Sequence, residues 1–205
     1  MPRAKVQRKS TSIDMTAMCD VSFLLLTFFI LTATARQPDP LDISIPASTY
    51  KIKVPDKDLV ILSIGKGKLF YEIIGNDIKG ATLDKMGEKY GIKFTSEERK
   101  RFSVLGAFGA PIGDLKRFIM MSSDQREKYA EQTPGIQADT TGTSELDNWI
   151  LETRNAVAEL HNEPLRISIK GNAEEEYPTI KKITDVLQKQ KMNKFSLITS
   201  AEGGK

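Results

Sequence analysis

Between Met15 and Ala35 the chain runs for about 21 residues with a single formal charge, Asp20, in an otherwise apolar stretch dotted with threonines. As an α-helix this stretch reaches about 31 Å, the thickness of a bilayer's hydrocarbon core. Arg3, Lys5, Arg8 and Lys9 precede it, whereas Arg36 is followed by Asp39 and Asp42. The positive-inside rule therefore predicts a cytoplasmic N-terminus and puts everything beyond Arg36 on the far side of the membrane. A cleavable signal peptide is the competing reading, since Val21 to Leu31 has the character of an h-region and Ala33-Thr34-Ala35 fits a small-x-small cleavage site. The apolar stretch is longer than a usual h-region, and an acid inside it would hinder insertion to no purpose. The uncleaved anchor is the preferred reading.

A carboxylate near hydrocarbon costs about 2.5 to 3.5 kcal/mol on insertion scales, so Asp20 calls for a reason. On a helix, Thr16, Asp20, Phe23, Thr27, Ile30, Leu31 and Thr34 share one side, and the polar members Asp20, Thr27 and Thr34 recur every seven residues. One polar stripe on a greasy cylinder suits a helix inside a bundle or beside a hydrated path, with Asp20 as the proton carrier. The bland alternative is that Asp20 snorkels to the cytoplasmic interface and the threonines bond to their own helix.

The remaining composition closes off several classes of function. A net charge of +3 is too small for the concentrated basic face of a nucleic-acid binder, so no nucleic-acid partner is expected. One cysteine, Cys19, allows no intrachain disulfide, and one histidine, His161, offers neither a zinc ligand set nor an obvious Ser-His-Asp base. No metal, no cofactor and no enzyme are expected. His161 falls at the end of an amphipathic helix beside Asn162 and Glu163, which suits a C-terminal cap position. Gly65-Lys66-Gly67 reads as a turn and not a phosphate loop, because no helical pattern follows it.

Beyond the apolar stretch, Pro38, Pro40, Pro46 and Pro55 mark residues 36–58 as an extended tether. Leu59 to Ile64 and Lys68 to Ile73 then read as a β-hairpin. Ser144 can cap a helix whose apolar face is Leu146, Trp149, Ile150, Val157 and Leu160, stopped by Pro164. Leu165 to Lys170 alternates as a half-buried strand. A second helix from about Pro178 to Lys191 presents Ile180, Ile183 and Leu187 and ends at Asn193, and Phe195 to Thr199 makes a last strand. The fold class is α+β: a transmembrane helix over 15–35, then a small two-layer domain (hairpin-α-β-α-β) over 59–75 and 144–200. Residues 76–143 interrupt it as a mainly helical insert, with a capping box at Thr95 to Glu98 leading into Arg99 to Phe108, then Asp114 to Met121 and Ser123 to Gln132. The run Arg99-Lys100-Arg101 sits beside Glu97 and Glu98 and reads as a solvated helix face.

The basic head (residues 1–14), the run Asp14-Met15-Thr16-Ala17-Met18-Cys19-Asp20-Val21, the lone apolar helix, the tether and the small sheet domain together resemble the ExbD/TolR family of biopolymer-transport proteins. The likeness covers residues 9 to about 73 and 144 to 200, with Tyr177-Pro178 opening the second helix. It implies a proton-driven stator in the bacterial inner membrane, N-terminus cytoplasmic and C-terminal domain periplasmic. Two such helices sit inside a pentameric ExbB/TolQ-like partner. Asp20 falls on the family's intramembrane acid and Asp14 on the motif's opening acid, so the implied proton pathway comprises Asp14, Thr16, Asp20, Thr27 and Thr34. Ala17 departs from the family pattern, in which a Pro commonly follows the Thr, and the 76–143 insert is foreign to the minimal domain.

The resemblance also implies a homodimeric soluble domain and a TonB-like partner. The hairpin's expected open edge, Leu59, Val60, Ile61, Leu62 and Ser63, is the candidate surface for strand addition. The first functional expectation is thus a stator that energises TonB-dependent outer-membrane transport. A TolR-like motor with a peptidoglycan-binding domain is the second, and an exported binding module cleaved after Ala35 the third.

Overall fold

The computed structural model describes residues 15–32, 47–48, 57–138, 144–171, 177–198 and 200–201. The basic head, Asp14, the Ala33 to Ala35 site, Thr34, most of the tether and Thr199 lie outside the described residues. The chain divides into two units, Met1–Pro38 and Asp39–Lys205.

In the first unit, α1 spans Met15–Thr32, 18 residues, long and apolar enough to cross a membrane. Its large apolar side chains are all exposed, from 56% for Met18 to 86% for Leu31. Such a surface demands lipid or other helices around it, because the helix satisfies its backbone internally but leaves its side chains without an apolar partner.

In the second unit, β1 (Ala47–Ser48) pairs in parallel with β6 (Ser200–Ala201). The main sheet has β2 (Leu59–Gly65), β3 (Lys68–Ile74), β4 (Arg166–Gly171) and β5 (Phe195–Leu197) in the order β3-β2-β4-β5. The hairpin turns on Lys66 and Gly67, both with positive φ (54° and 70°), the two-residue geometry that matches the twist of antiparallel strands. β4 and β5 join in parallel, as expected where helices supply the connections.

The helices are α2 (Asn76–Tyr90), α3 (Ser96–Ser103), α4 (Leu115–Met120), α5 (Ser123–Gln132), α6 (Glu145–His161) and α7 (Tyr177–Lys189). Val60, Leu62, Ile64, Leu69, Tyr71, Ile73, Ile167 and Ile169 line one face of the sheet and form one core with residues of α2, α6 and α7. α6 starts at a reciprocal Ser144–Asp147 capping box and α3 at a Thr95–Glu98 box, each satisfying backbone donors that the first turn leaves orphaned.

Several expectations need correction. α2, 15 residues long, had no counterpart in the sequence reading, and it lies along α6 through Lys85–Glu159 (2.7 Å) and Lys89–Glu152 (2.9 Å) ion pairs. α3 ends at Ser103 and not Phe108, because Phe108 leaves the helix to pair with β3. α7 stops at Lys189, ahead of the expected end at Asn193, and the chain turns at Lys191 (φ 60°). Leu160 is 49% exposed, off the core face of α6. β4 is not half-buried: Ser168 between Ile167 and Ile169 is 1% exposed, so both faces are covered.

The insert is part of this core. Tyr71 and Phe108 exchange two backbone hydrogen bonds (2.8 and 2.9 Å), and the Ile136 N–H donates to the Leu69 carbonyl at 3.0 Å. Gly135 makes this approach possible, since its φ is +83° and a Cβ there would lie 2.7 Å from the Leu69 nitrogen. Phe108 then packs against Trp149, Phe102 and Tyr71, with ring centroids 4.9, 5.3 and 5.9 Å away. Phe108→Ala is expected to lower the unfolding free energy by about 3–5 kcal/mol, the cost of removing a buried aromatic and leaving a cavity. Urea unfolding followed by the fluorescence of Trp149, the single tryptophan, reads this directly; a loss below about 1 kcal/mol would detach the insert from the core.

Candidate functional site

The membrane helix sets out its polar groups in a definite pattern. Asp20 lies in the second turn of α1 and its side chain is exposed. Two turns further on, the Thr27 hydroxyl donates to the Leu24 carbonyl at 2.9 Å. Ser22 and Thr32 likewise donate to Met18 (2.8 Å) and Phe28 (2.7 Å). These hydroxyls stabilise themselves on their own helix, while the Asp20 carboxylate is presented to whatever surrounds the helix. Thr16 stands one turn before Asp20 on the same side. Cys19, adjacent to Asp20, is a free, exposed thiol.

The expected open edge at Leu59 to Ser63 is not open. β2 is an interior strand, hydrogen-bonded to β3 from Leu59 to Gly65 and to β4 from Leu59 to Ile64. A hairpin alone exposes both outer edges; here the later strand β4 has docked against β2, a pairing that no local pattern announces. The outer edge of β3 is occupied by Phe108 and Ile136 of the insert. β3 and β5 are the two edge strands of this sheet, and among the described residues no segment is hydrogen-bonded to the outer side of β5. It is short and its Leu197 is 64% exposed, so strand addition to this sheet has its free edge at Phe195–Leu197.

A cluster that sequence spacing did not reveal joins three elements at one end of the domain. The imidazole of His161, the last residue of α6, bridges two carboxylates: Nδ1 contacts Asp58 Oδ1, and Nε2 lies 2.9 Å from Asp77 Oδ2. The Asp58 and Asp77 hydrogen bonds, with their charges, raise the His161 pKa above its ordinary value against a small opposing effect of desolvation. Burial works to raise Asp77, but the Ile78 amide, the His161 bond, its own amide and the imidazolium charge together hold its pKa below the usual carboxylate value. The partners are separated from His161 by 103 and 84 residues, so only the tertiary fold brings them together. The ring fills the space between the acids, and among the described residues no group of three such side chains is arranged to hold a metal ion.

Other polar contacts fasten the insert. Glu145 Oε1 accepts from the Ile112 amide (2.8 Å) and Trp149 Nε1 (3.2 Å); burial raises its pKa and these two bonds oppose the rise. Lys79 on α2 donates to the Leu105 carbonyl, and burial lowers its pKa, partly offset by Glu72. Two open clefts lie on this side. One of about 430 Å³ is lined by Arg117, Met120, Met121, Lys128 and Tyr129 among others, and one of about 590 Å³ by Asp84, Glu88, Lys93, Phe94 and Arg99 among others.

Sequence comparison matches residues 7–202 to the family described as biopolymer transport protein ExbD/TolR, a range that runs through the insert. No curated protein and no solved structure matches the chain.

The sheet geometry predicts an order of amide protection. By hydrogen exchange, Leu59–Ile64 should exchange slowest and Phe195–Leu197 markedly faster, since opening β2 breaks two ladders and opening β5 breaks one. Equal rates for the two strands would contradict the interior position of β2.

Proposed function

The chain belongs to the ExbD/TolR family of biopolymer transport proteins, and we propose that it is the proton-channel stator subunit of an ExbD-type motor. In this reading two copies of α1 sit within a pentameric ExbB-like membrane protein, and proton flow through Asp20 energises TonB-dependent outer-membrane transport. The observation that carries it is a single acid set into an uninterrupted apolar helix, with the family's acid-Met-Thr motif around it. The family is one of transport and stator proteins, not of enzymes.

The chemistry is proton transfer and electrostatics. Asp20 takes a proton from one side, becomes neutral, and releases it on the other; each elementary charge crossing the membrane yields about 2.3 kcal/mol per 100 mV. Asp14 is assigned to the cytoplasmic end of the path, and Thr16, Thr27 and Thr34 to its polar wall. Thr27 can serve by rotating its hydroxyl off the Leu24 carbonyl. A lone helix encloses no path, so the ring partner and a second copy of the chain must supply the other walls. The apolar surface of α1, exposed all round, is the surface they would cover.

The far-side domain receives the work. The open edge of β5 is assigned to the TonB-like client, because an incoming extended segment can there complete a ladder without displacing any described strand.

Asp20→Asn keeps the shape and polarity of the side chain but removes its exchangeable proton. Energised uptake should fall to the level of cells lacking the protein, while co-purification with the ring partner persists. Undiminished uptake by D20N would remove Asp20 from the proton path and leave an anchored binding module as the better account.

A further inference from the structure

We propose that His161, Asp58 and Asp77 form a proton-operated clasp that fastens the start of β2 to the helical layer when the imidazole is charged and releases one arm when it is neutral. The geometry itself requires the charge. Carboxylates only accept hydrogen bonds, so a ring whose two nitrogens both face carboxylate oxygens must donate from both, and only the imidazolium carries two N–H groups. Neutral imidazole has one N–H; its other nitrogen would turn a lone pair on an acid.

The three residues come from three elements. Asp58 precedes β2 in a left-handed conformation (φ 54°) that Asp tolerates better than most residues. Its carbonyl also accepts the Arg166 N–H at 2.9 Å, which joins it to the first residue of β4. Asp77 stands in the first turn of α2 and His161 at the last of α6, where the helix's own carbonyls favour a cation. Of the other charged groups nearby, Glu159 of α6 is engaged by Lys85 of α2 at 2.7 Å, and Arg166 reaches Asp58 through its backbone. The imidazole is 32% exposed, open enough to exchange its proton with solvent.

The linkage has two signs. His161, raised in the folded state, contributes stability that is present below its unfolded pKa and is lost as pH rises through the folded value. Asp77, lowered in the folded state, contributes stability present above its unfolded pKa and lost as pH falls through the folded value. The clasp therefore closes in a window bounded below by the lowered Asp77 and above by the raised His161. Residue 58 is where the chain coming from the tether joins the sheet, so the clasp decides whether a pull on the tether reaches α2 and α6 directly or passes through β2 alone. That consequence rests on the motor reading above; the clasp itself does not.

His161 is the single histidine, so the full chain in detergent micelles, labelled with [13Cε1]histidine, gives one imidazole signal whose titration needs no substitution. The expected midpoint lies above the ordinary value of about 6.5, and Asp58→Asn and Asp77→Asn should each lower it toward that value. A midpoint at the ordinary value, unmoved by either variant, overturns the proposal. Trp149 fluorescence establishes that each variant is folded. In hydrogen exchange corrected for intrinsic rates, Leu59 and Val60 should lose protection as pH rises through the midpoint, and His161→Gln should abolish that dependence. An identical pH dependence in H161Q would also overturn the clasp. Should the clasp titrate as expected while D20N retains uptake, the clasp stands and the motor reading fails.

Discussion

Two backbone hydrogen bonds between Tyr71 and Phe108 organise the soluble domain. They pull the segment after α3 out of helical conformation and lay it along β3, closing an edge that would otherwise offer unpaired N–H and C=O groups to any passing strand. With that segment in place, the Phe108 ring drops among Tyr71, Phe102 and Trp149, and the Tyr71 hydroxyl reaches Thr153 of α6 at 3.0 Å. Burial holds the Tyr71 phenol far above its ordinary pKa, so it acts as a neutral hydrogen-bond donor. Because the insert covers β3 at Leu69 and Tyr71 and because β2 and β4 are interior, the uncovered edge among the described residues is that of β5.

The parts of this fold with a strong local signature were legible in the sequence. Apolar periodicity located α6, α7 and the strands β2 to β5 but not β1 or β6, the Thr95–Glu98 box located the start of α3, and the Gly65-Lys66-Gly67 turn located the hairpin. α2 has a weak local signature, because Gly80 and Gly87 interrupt its apolar residues Ile78, Leu83 and Met86. Gly87 has a tertiary reason: a Cβ there would fall 2.5 Å from the Ile92 carbonyl, at the turn that closes the helix. Strand order was not legible, because whether β2 is an edge depends on where β4 docks, and that is decided by burying Val60, Leu62, Ile167 and Ile169 in one core. The His161 clasp was invisible for the same reason; a cap position predicts a cation at a helix end but says nothing of two acids far away in sequence. Asp20 was legible because a charge in an apolar stretch stands out against its own neighbours.

The two halves of the chain obey opposite rules for polar groups. In α1 the hydroxyls of Ser22, Thr27 and Thr32 are bonded to the preceding turn, leaving Asp20 as the group whose needs the helix itself does not meet. In the second unit, element ends are met both by local capping boxes and by partners distant in sequence, as with Glu145 at the Ile112 amide and Gln190 at the Asp147 carbonyl (2.7 Å). An unmet acid on an apolar helix is a group that surroundings outside the helix must satisfy.

The position of β2 sets how the sheet would respond to a pull on the segment before it. Asp58 leads into β2, the first strand of the four-stranded sheet, and Leu59 is aligned with Ile74 at the end of β3 and with Arg166 at the start of β4. A pull along β2 therefore loads two ladders in shear at once, with their hydrogen bonds sharing the force. An edge strand pulled from its end could instead peel away from a single neighbour one bond at a time. An interior first strand is thus the stronger place to attach a tether, and it explains why the same strand makes a poor docking edge. In the motor reading proposed above the fold would separate two tasks, with load entering at the centre of the sheet through β2 and, among the described residues, β5 left open for pairing.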